Sequence, residues 1–311
     1  MPSAIFFELA ALLLGLLLGS FLNVCISRVP AHESIVTPRS HCPGCLAPLR
    51  WYDNIPLLSW VLLAGRCRAC KAAIPWRYPL VELGTGIWFA LATAFPLHSL
   101  NAAVPPPSPE HAIRIVLDGI AVLLLGFCLI GLMVIDWQTQ TLPDAFTLGG
   151  AAVGFLLVCL QAVFLNPGEG DLHFTPRSAM RLSSPGSSVA KGDVFFTGPE
   201  ALVMGRLLAI LGAAGVLLLI RATYKALRGR DGMGLGDAKL LAMIAGFVGF
   251  SDAMLSFFFG MIACAAYAIY LLARGRATAT TKLPLGSFLA AGGLFTALLG
   301  GAVLTWYKGF L

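Results

Sequence analysis

Residues 115–135 read IVLDGIAVLLLGFCLIGLMVI, an apolar run in which Asp118 is the one charged residue. About 20 such residues make an α-helix long enough to cross the hydrocarbon core of a bilayer. Lipid offers no hydrogen-bond partners to an exposed backbone, so each run of this kind is expected to be a helix. Seven further apolar segments flank this one, at 4–26, 79–97, 145–165, 200–220, 240–250, 253–273 and 284–307. The sequence therefore predicts an all-α, polytopic membrane helix bundle of about eight spans.

The composition agrees with a protein embedded in lipid. Hydrophobic residues make up 58% of the 311 residues and charged residues 12%, against about 25% charged residues in ordinary soluble domains. Residues 4–26 are read as a membrane span and not as a signal peptide, because no basic residue precedes them. Residues 240–250 are too short to cross alone, which predicts a segment that is tilted, broken or buried within the bundle.

Basic residues are sorted to one side of the predicted membrane. If the N-terminus is outside and the spans alternate, the loops at 27–78, 221–239 and 274–283 lie inside and hold most of the 21 Lys and Arg residues. This bias follows the positive-inside rule and indicates a bacterial inner membrane. The net charge of +6 therefore reflects topology, and no nucleic-acid partner is expected.

The largest inside loop carries two C-x2-C pairs, Cys42 with Cys45 and Cys67 with Cys70. Two such pairs are typical of a tetrahedral zinc site with four thiolate ligands. Two redox dithiols or two disulfides remain alternatives, although a reducing cytosol disfavours structural disulfides. The spacing predicts a small zinc-ribbon-like loop domain over residues 27–78, following a first transmembrane helix over 1–26.

Three aspartates lie at span ends on the predicted cytoplasmic side: Asp136, Asp144 and Asp237. Ionisable residues in membrane segments are costly and are therefore functional candidates. Two neighbouring carboxylates can share one proton, so that one activates water while the other donates to a carbonyl oxygen. Each aspartate also has a structural interpretation, Asp144 and Asp237 as helix caps and Asp136 as a boundary residue. The glycines beside Asp237 favour the catalytic interpretation, since they permit close approach of an extended substrate.

Glu82, near the start of the second span, is a further intramembrane carboxylate. It is expected either to help bind a substrate or to pair with a basic residue.

Several motifs in order resemble one family, the type IV prepilin peptidases. They are Gly19-Ser20-Phe21-Leu22-Asn23-Val24 with Arg28-Val29-Pro30, the paired cysteines, Tyr78-Pro79-Leu80-Val81-Glu82, Asp136 with Leu142-Pro143-Asp144, and Gly234-x-Gly236-Asp237-x-Lys239.

The resemblance implies an aspartic endopeptidase that removes the basic leader of prepilins or pseudopilins at the cytoplasmic membrane face. By this resemblance Asp136 and Asp237 are the catalytic pair, and Asp144 is the reserve candidate. It also implies N-methylation of the new terminus with S-adenosylmethionine as methyl donor. A zinc ion on Cys42, Cys45, Cys67 and Cys70 would then be structural. Two alternatives stay open: a membrane methyltransferase whose aspartates are structural, and a zinc-bearing secretion assembly subunit without protease activity.

Residues 79–311 are expected to form the peptidase bundle, interrupted by a Gly/Ser/Pro-rich insertion at 166–199. This insertion lies outside, opposite the aspartates. Its composition buries little apolar surface, so it is expected to be poorly ordered.

We predict that replacing residues 166–199 with a short linker preserves leader cleavage. The measurement is processing of a co-expressed prepilin, with membrane content of the shortened chain as the control. A folded but inactive deletion would contradict the predicted topology.

Overall fold

The computed structural model describes residues 2–102, 109–164, 199–229, 233–276 and 282–309. Regular structure within these ranges is helical. The helices are, in chain order, α1 (Pro2–Arg28), α2 (Leu58–Leu62), α3 (Arg77–Ala102), α4 (Pro109–Thr139), α5 (Asp144–Val163), α6 (Pro199–Arg228), α7 (Leu235–Val248), α8 (Phe250–Ala273) and α9 (Leu285–Lys308), with a short 3-10 turn at Trp51–Asn54. The predicted insertion at 166–199 lies outside the described residues, apart from Pro199.

The predicted helix-bundle fold is confirmed, because each of the eight apolar segments coincides with one of the helices other than α2. Six of them, α1, α4, α5, α6, α8 and α9, are long and apolar enough to cross a membrane. The other two are α3, which lies against α1 and α4, and α7.

The short helix α7 lies at the centre of the bundle, in contact with α5, α6, α8 and α9. Its 14 residues span roughly 21 Å, less than the roughly 30 Å of a hydrocarbon core. Leu240, Leu241, Met243 and Ile244 are completely buried, so the helix is apolar on every side, as expected for an enclosed element. Of the three predicted options for this segment, burial within the bundle is therefore correct. The helix begins at Leu235, five residues earlier than the apolar run.

Glycines allow the helices to approach one another closely, as is common where packing in lipid depends on small residues. A Cβ atom added at Gly126 of α4 would overlap the indole of Trp88 on α3. The same indole donates a hydrogen bond of 3.0 Å from Nε1 to the Val122 carbonyl oxygen. A Cβ atom at Gly292 of α9 would meet the carbonyl oxygen of Ser256 on α8. Neither position has room for a side chain.

Polar contacts join several helix ends at one end of the bundle. Arg77, at the start of α3, donates from Nη1 to Gln138 Oε1 at 2.8 Å and from Nη2 to Ser27 Oγ at 3.1 Å. Gln140, just after α4, donates from Nε2 to the Lys282 carbonyl oxygen at 3.3 Å, close to the start of α9. The end of α1, the start of α3, the end of α4 and the start of α9 therefore meet on one face of the bundle.

We predict that Gly126→Ala destabilises the bundle, because the new methyl group displaces Trp88 and its hydrogen bond. Overpacking of this kind typically costs about 1–3 kcal/mol. Gly149→Ala on α5 is the matched control, since no atom lies within 4 Å of the added Cβ. Thermal unfolding in detergent should show a lower Tm for the first variant and no loss for the second. Equal Tm values would show that α3 and α4 are not packed at Gly126.

Candidate active site

Asp136 lies in the last turn of α4 and is 5% exposed. Its Oδ2 atom accepts hydrogen bonds from two groups of Ser287, the backbone N–H at 2.6 Å and Oγ at 2.9 Å, and the one hydroxyl proton is shared with the Met133 carbonyl oxygen at 2.9 Å. Ser287 is in the first turn of α9, where backbone N–H groups have no partner within their own helix. Asp136 therefore caps α9 from a neighbouring helix, and the positive end of the α9 dipole faces the carboxylate.

Asp237 lies in the first turn of α7 and is 8% exposed. Its Oδ2 atom accepts a hydrogen bond of 3.1 Å from the backbone N–H of Gly234. The predicted capping role is therefore real, but it uses one carboxylate oxygen. Oδ1 of Asp237 accepts no hydrogen bond from the part of the chain that the structure describes, so it is available for chemistry.

The fold brings these two aspartates together, within electrostatic range of each other. Leu142 lies between the glycines beside them: a Cβ atom at Gly236 would be 3.1 Å from Leu142 Cβ, and one at Gly286 would be 3.0 Å from Leu142 Cδ1. The Cβ atom at Gly286 would also be 3.0 Å from Asp136 Cγ. The glycines thus let α7 and α9 close around Leu142. At Gly236 the space for a side chain is filled by the protein itself.

Asp144 has different surroundings, in the first turn of α5. Its side chain is 60% exposed, and Oδ1 forms an ion pair with Lys239 Nζ at 2.6 Å. The G-x-G-D-x-K motif therefore serves two places: Asp237 lies within electrostatic range of Asp136, and Lys239 forms an ion pair with Asp144 at the surface. An exposed, ion-paired carboxylate is a poorer catalytic candidate than either buried aspartate.

Ser287 and Gly286 were missed by the sequence reasoning, which treated residues 284–307 only as a span. The signal that could have found them is the small-residue run Gly286-Ser287 at the start of the last span, on the same predicted face as the aspartates. Ser287 binds Asp136, which is 151 residues away in sequence, so helical periodicity alone does not reveal this contact.

The two cysteine pairs form matching knuckles. The N–H of Cys42 donates to Ala47 O at 3.0 Å, and that of Cys67 donates to Ala72 O at 2.8 Å. Isolated β-bridges accompany each turn, His41 with Pro48 and Arg66 with Ala73.

The knuckles bring four thiols to one point. The Sγ atoms of Cys42, Cys45, Cys67 and Cys70 all lie within 4.8 Å of one another, and those of Cys42 and Cys70 are 3.8 Å apart. Four sulfurs at about 2.3 Å from a tetrahedral zinc ion would be separated by roughly 3.8 Å, so the donor set fits zinc. Backbone N–H groups of Cys70 and Ala69 lower the pKa of the Cys67 thiol to about 6, whereas hydrogen bonds with the neighbouring thiols raise the pKa of Cys70 to about 11, so Cys67 is the thiol of this pair that ionises first.

Two side chains of the bundle, Glu82 and Arg28, fasten this loop to it by hydrogen bonds. Glu82 Oε2 accepts the N–H of Leu57 at 2.8 Å, so this buried carboxylate binds a backbone group of the loop. Arg28, also buried, donates from Nη1 to Ser34 O at 2.9 Å and from Nη2 to Pro38 O at 2.7 Å. Asn23 of α1 joins the two helices beside the loop, because its Nδ2 donates to Tyr78 O in the first turn of α3 at 3.0 Å. The N-terminal sequence motifs therefore hold the four-cysteine loop against the membrane helices.

Comparison with known proteins gave two family matches. The bacterial peptidase A24 N-terminal domain matches residues 13–95, and the type IV leader peptidase family matches residues 192–269. Asp237 lies within the second match, and Asp136 lies between the two.

Curated relatives match along most of the chain. A prepilin leader peptidase/N-methyltransferase of Burkholderia pseudomallei (strain 1026b) is 32% identical, covering 93% of this chain and 84% of the relative. A protein of the same name from Stutzerimonas stutzeri is 29% identical, covering 98% of this chain and 94% of the relative. A type 4 prepilin-like proteins leader peptide-processing enzyme of Escherichia coli O78:H11 (strain H10407 / ETEC) is 33% identical, covering 92% of this chain and 91% of the relative. No solved structure matched the chain.

Proposed function

The chain belongs to the prepilin leader peptidase/N-methyltransferase family, and from this premise we propose that it cuts the leader from prepilins or pseudopilins and methylates the new N-terminus. Family membership and the names of the relatives support the peptidase interpretation over a methyltransferase or an assembly subunit without protease activity. The chain is a multi-pass membrane protein, with six helices that could cross a bilayer. The basic loops support a bacterial inner membrane with the active site facing the cytoplasm.

The observation that carries the peptidase proposal is the buried pair of carboxylates, Asp136 and Asp237, at the end of the bundle where the motifs meet. Each uses Oδ2 to accept hydrogen bonds from a helix N-terminus. Like charges in one site cannot both ionise easily, so the pair is expected to share one proton. This is the state that peptide hydrolysis by two aspartates requires.

In the proposed reaction, the ionised carboxylate takes a proton from water, and the water oxygen attacks the scissile carbonyl carbon. The protonated carboxyl donates its proton to the carbonyl oxygen as the tetrahedral intermediate forms. Collapse of the intermediate breaks the C–N bond, and the leaving amine takes up the proton removed from water. The leader departs with a new carboxylate and the mature protein with a new amine. As the C=O bond re-forms, a hydroxyl of the intermediate returns its proton to the other carboxylate, which restores the shared-proton state, and the new carboxylic acid of the leader ionises in water.

The four cysteines are proposed to bind one zinc ion and to order residues 27–78 as a separate cytoplasmic domain. Four thiolates complete a tetrahedral shell and leave no position for a reactive water, so the ion would be structural. S-adenosylmethionine is proposed as the methyl donor. The described residues contain no strand–loop–helix nucleotide-binding unit, and we therefore assign no residues to it.

We predict that Asp136→Asn and Asp237→Asn each lower the rate of leader removal by at least about 10²–10⁴-fold, because each removes one member of the acid–base pair. Asp144→Asn is the matched control and should keep most of the activity. The measurement is mass spectrometry of a co-expressed prepilin, with membrane content of each variant determined in parallel. Normal processing by either asparagine variant at the pair, or complete loss in Asp144→Asn alone, would refute the assignment.

We predict that Cys67→Ser removes zinc and impairs methylation more than cleavage. Loss of one ligand loosens a loop whose folding depends on the metal, while the aspartates lie on other segments. The readouts are metal content by mass spectrometry, leader removal, and methylation of the released terminus. Cys159→Ser on α5 is the control and should retain full metal content. A fully occupied Cys67→Ser enzyme would disprove the ligand set, and unchanged methylation after metal loss would disprove the link to methyl transfer.

A further inference from the structure

One stretch of the four-cysteine loop is apolar and contributes no ligand to the metal site. Residues 55–65 read IPLLSWVLLAG and contain no charged residue, although the loop around them is rich in Lys and Arg. An apolar run of about 10–14 residues is too short to span a bilayer and is typical of a buried segment or of one that lies in the membrane interface. The short helix α2 occupies the middle of this run, and its surroundings decide between the two.

The helix α2 has an apolar face that the described residues do not cover. Ser59 is buried and donates from Oγ to the Ile55 carbonyl oxygen, so this side of the helix faces the loop. Leu58, Val61 and Leu62 are instead 50%, 65% and 74% exposed. Residues three and four positions apart lie on the same side of a helix. These three side chains, here called the α2 apolar face, therefore form one outward surface.

A hydrogen bond to α3 sets the level of α2 relative to the membrane helices. Leu57, the residue before α2, donates its N–H to Glu82 Oε2 at 2.8 Å. Glu82 lies opposite Gly19 of α1, since a Cβ atom at Gly19 would be 2.7 Å from Glu82 Cα. At about 1.5 Å per residue, Gly19 is roughly 13 Å from the end of α1 at Arg28. The start of α2 is therefore held beside the apolar part of the membrane helices and not beyond their ends.

The backbone bends sharply to make this contact. Leu57 has a φ of 58° and a ψ of −48°, and the N–H of Leu58 donates to the Pro56 carbonyl oxygen at 2.6 Å, which closes a γ-turn. A γ-turn with positive φ is rare and strained, and strained residues persist where surrounding contacts hold them. The bond from Leu57 to Glu82 is such a contact, so the fold maintains this position of α2 against a local cost.

The lipid-facing surface of α3 begins at the same level. Leu80 and Leu83, on either side of Glu82, are exposed, and Ile87 and Leu91 continue the exposed stripe at helical spacing. Exposed apolar side chains on a helix of a membrane bundle face acyl chains. The α2 apolar face is tied to α3 where this stripe starts, and it adds to an existing lipid-facing surface.

A pair of tryptophans marks the same boundary. Trp76, exposed just before α3, contacts Trp60 of α2, with ring centroids 4.2 Å apart. Tryptophan is enriched at the level of the lipid headgroups, where an apolar ring and a polar N–H are both accommodated. The position of the pair agrees with a helix that lies in the membrane interface.

We propose that α2 inserts its apolar face into the acyl chains of the leaflet at the aspartate end of the bundle, and that Glu82 sets the depth of this insertion. The partner is therefore lipid, and the four-cysteine loop is attached to the bilayer surface as well as to α1 and α3. The other possible occupants of this face are water, the apolar helix of a substrate and a second copy of the chain. The proposal does not depend on the peptidase chemistry.

The test places the photo-reactive residue p-benzoylphenylalanine at position 62 of the full-length enzyme, in vesicles of phosphatidylcholine and phosphatidylglycerol, with and without a prepilin. Mass spectrometry after irradiation distinguishes lipid adducts from protein adducts. The yield of lipid adducts at Leu62 should be within about threefold of that at Leu83, a lipid-facing position on α3.

Leu46 is the matched control for an exposed apolar residue of the same loop. It is 71% exposed and lies in the first cysteine knuckle, where the N–H of Cys42 donates to Ala47 O. The photo-reactive residue at position 46 should form at least about tenfold fewer lipid adducts than at position 62, because no contact holds this knuckle beside the apolar part of α3.

Glu82 is tested with two substitutions in the enzyme labelled at position 62. Glu82→Leu removes the acceptor for the Leu57 N–H and should lower the yield of lipid adducts at least about threefold. Glu82→Gln keeps a carbonyl oxygen and should preserve the yield. Recovery of each variant in the membrane fraction is the control for folding.

The proposal is overturned if position 62 forms adducts mainly with the prepilin or with a second copy of the chain, or if it forms no lipid adducts. Equal lipid yields at positions 46 and 62 would also contradict it, because the α2 apolar face would then be no closer to lipid than the rest of the loop. An unchanged yield in Glu82→Leu would disprove the role of Glu82 in setting the depth. Each of these results is independent of whether Asp136→Asn is inactive.

Discussion

A carboxylate buried among apolar helices needs hydrogen-bond donors close at hand, because the surrounding lipid and side chains supply none. In this protein Ser287 supplies two such donors to Asp136, across 151 residues of sequence. This contact fixes the start of α9 against the end of α4. Gly286, next to Ser287, approaches both Asp136 and Leu142, which lies in the turn before α5. The hydrogen bonds of one buried acid thus join several segments of the candidate site.

The same need for hydrogen-bond donors explains why the second aspartate, Asp237, lies at the start of a helix. Asp237 accepts a hydrogen bond from the N–H of Gly234, just before α7. This helix is enclosed by α5, α6, α8 and α9. A short central helix with an acid in its first turn places a charge inside the bundle without extending it across the membrane. The two acids are therefore held by helix N-termini on separate elements, and their nearness depends on the packing of α4, α7 and α9.

Much of the fold was predictable because lipid imposes a simple rule on sequence: each apolar segment of sufficient length becomes a helix. The eight apolar segments were found in this way, and the four-cysteine cluster was predicted from the spacing of its two C-x2-C pairs. The start of α7 was placed too late, because Gly234, Gly236 and Asp237 interrupt the apolar pattern although the helix includes two of them. The pairing of Asp144 with Lys239 and of Glu82 with the Leu57 N–H could not be predicted. Both are contacts between distant segments, and charge or composition alone does not choose among possible partners.

The central claim is that Asp136 and Asp237 act as one unit that carries a single proton. The most direct measurement is the pH dependence of kcat/KM for leader removal by the purified enzyme, compared with the same profile for Asp144→Asn. The account predicts an optimum with a fall on both sides: at low pH both carboxyls are protonated and no base remains, and at high pH both are ionised and no acid remains. Asp144→Asn should keep both limbs. A rate that rises to a plateau without an alkaline limb, or a limb that disappears in Asp144→Asn, would contradict the account.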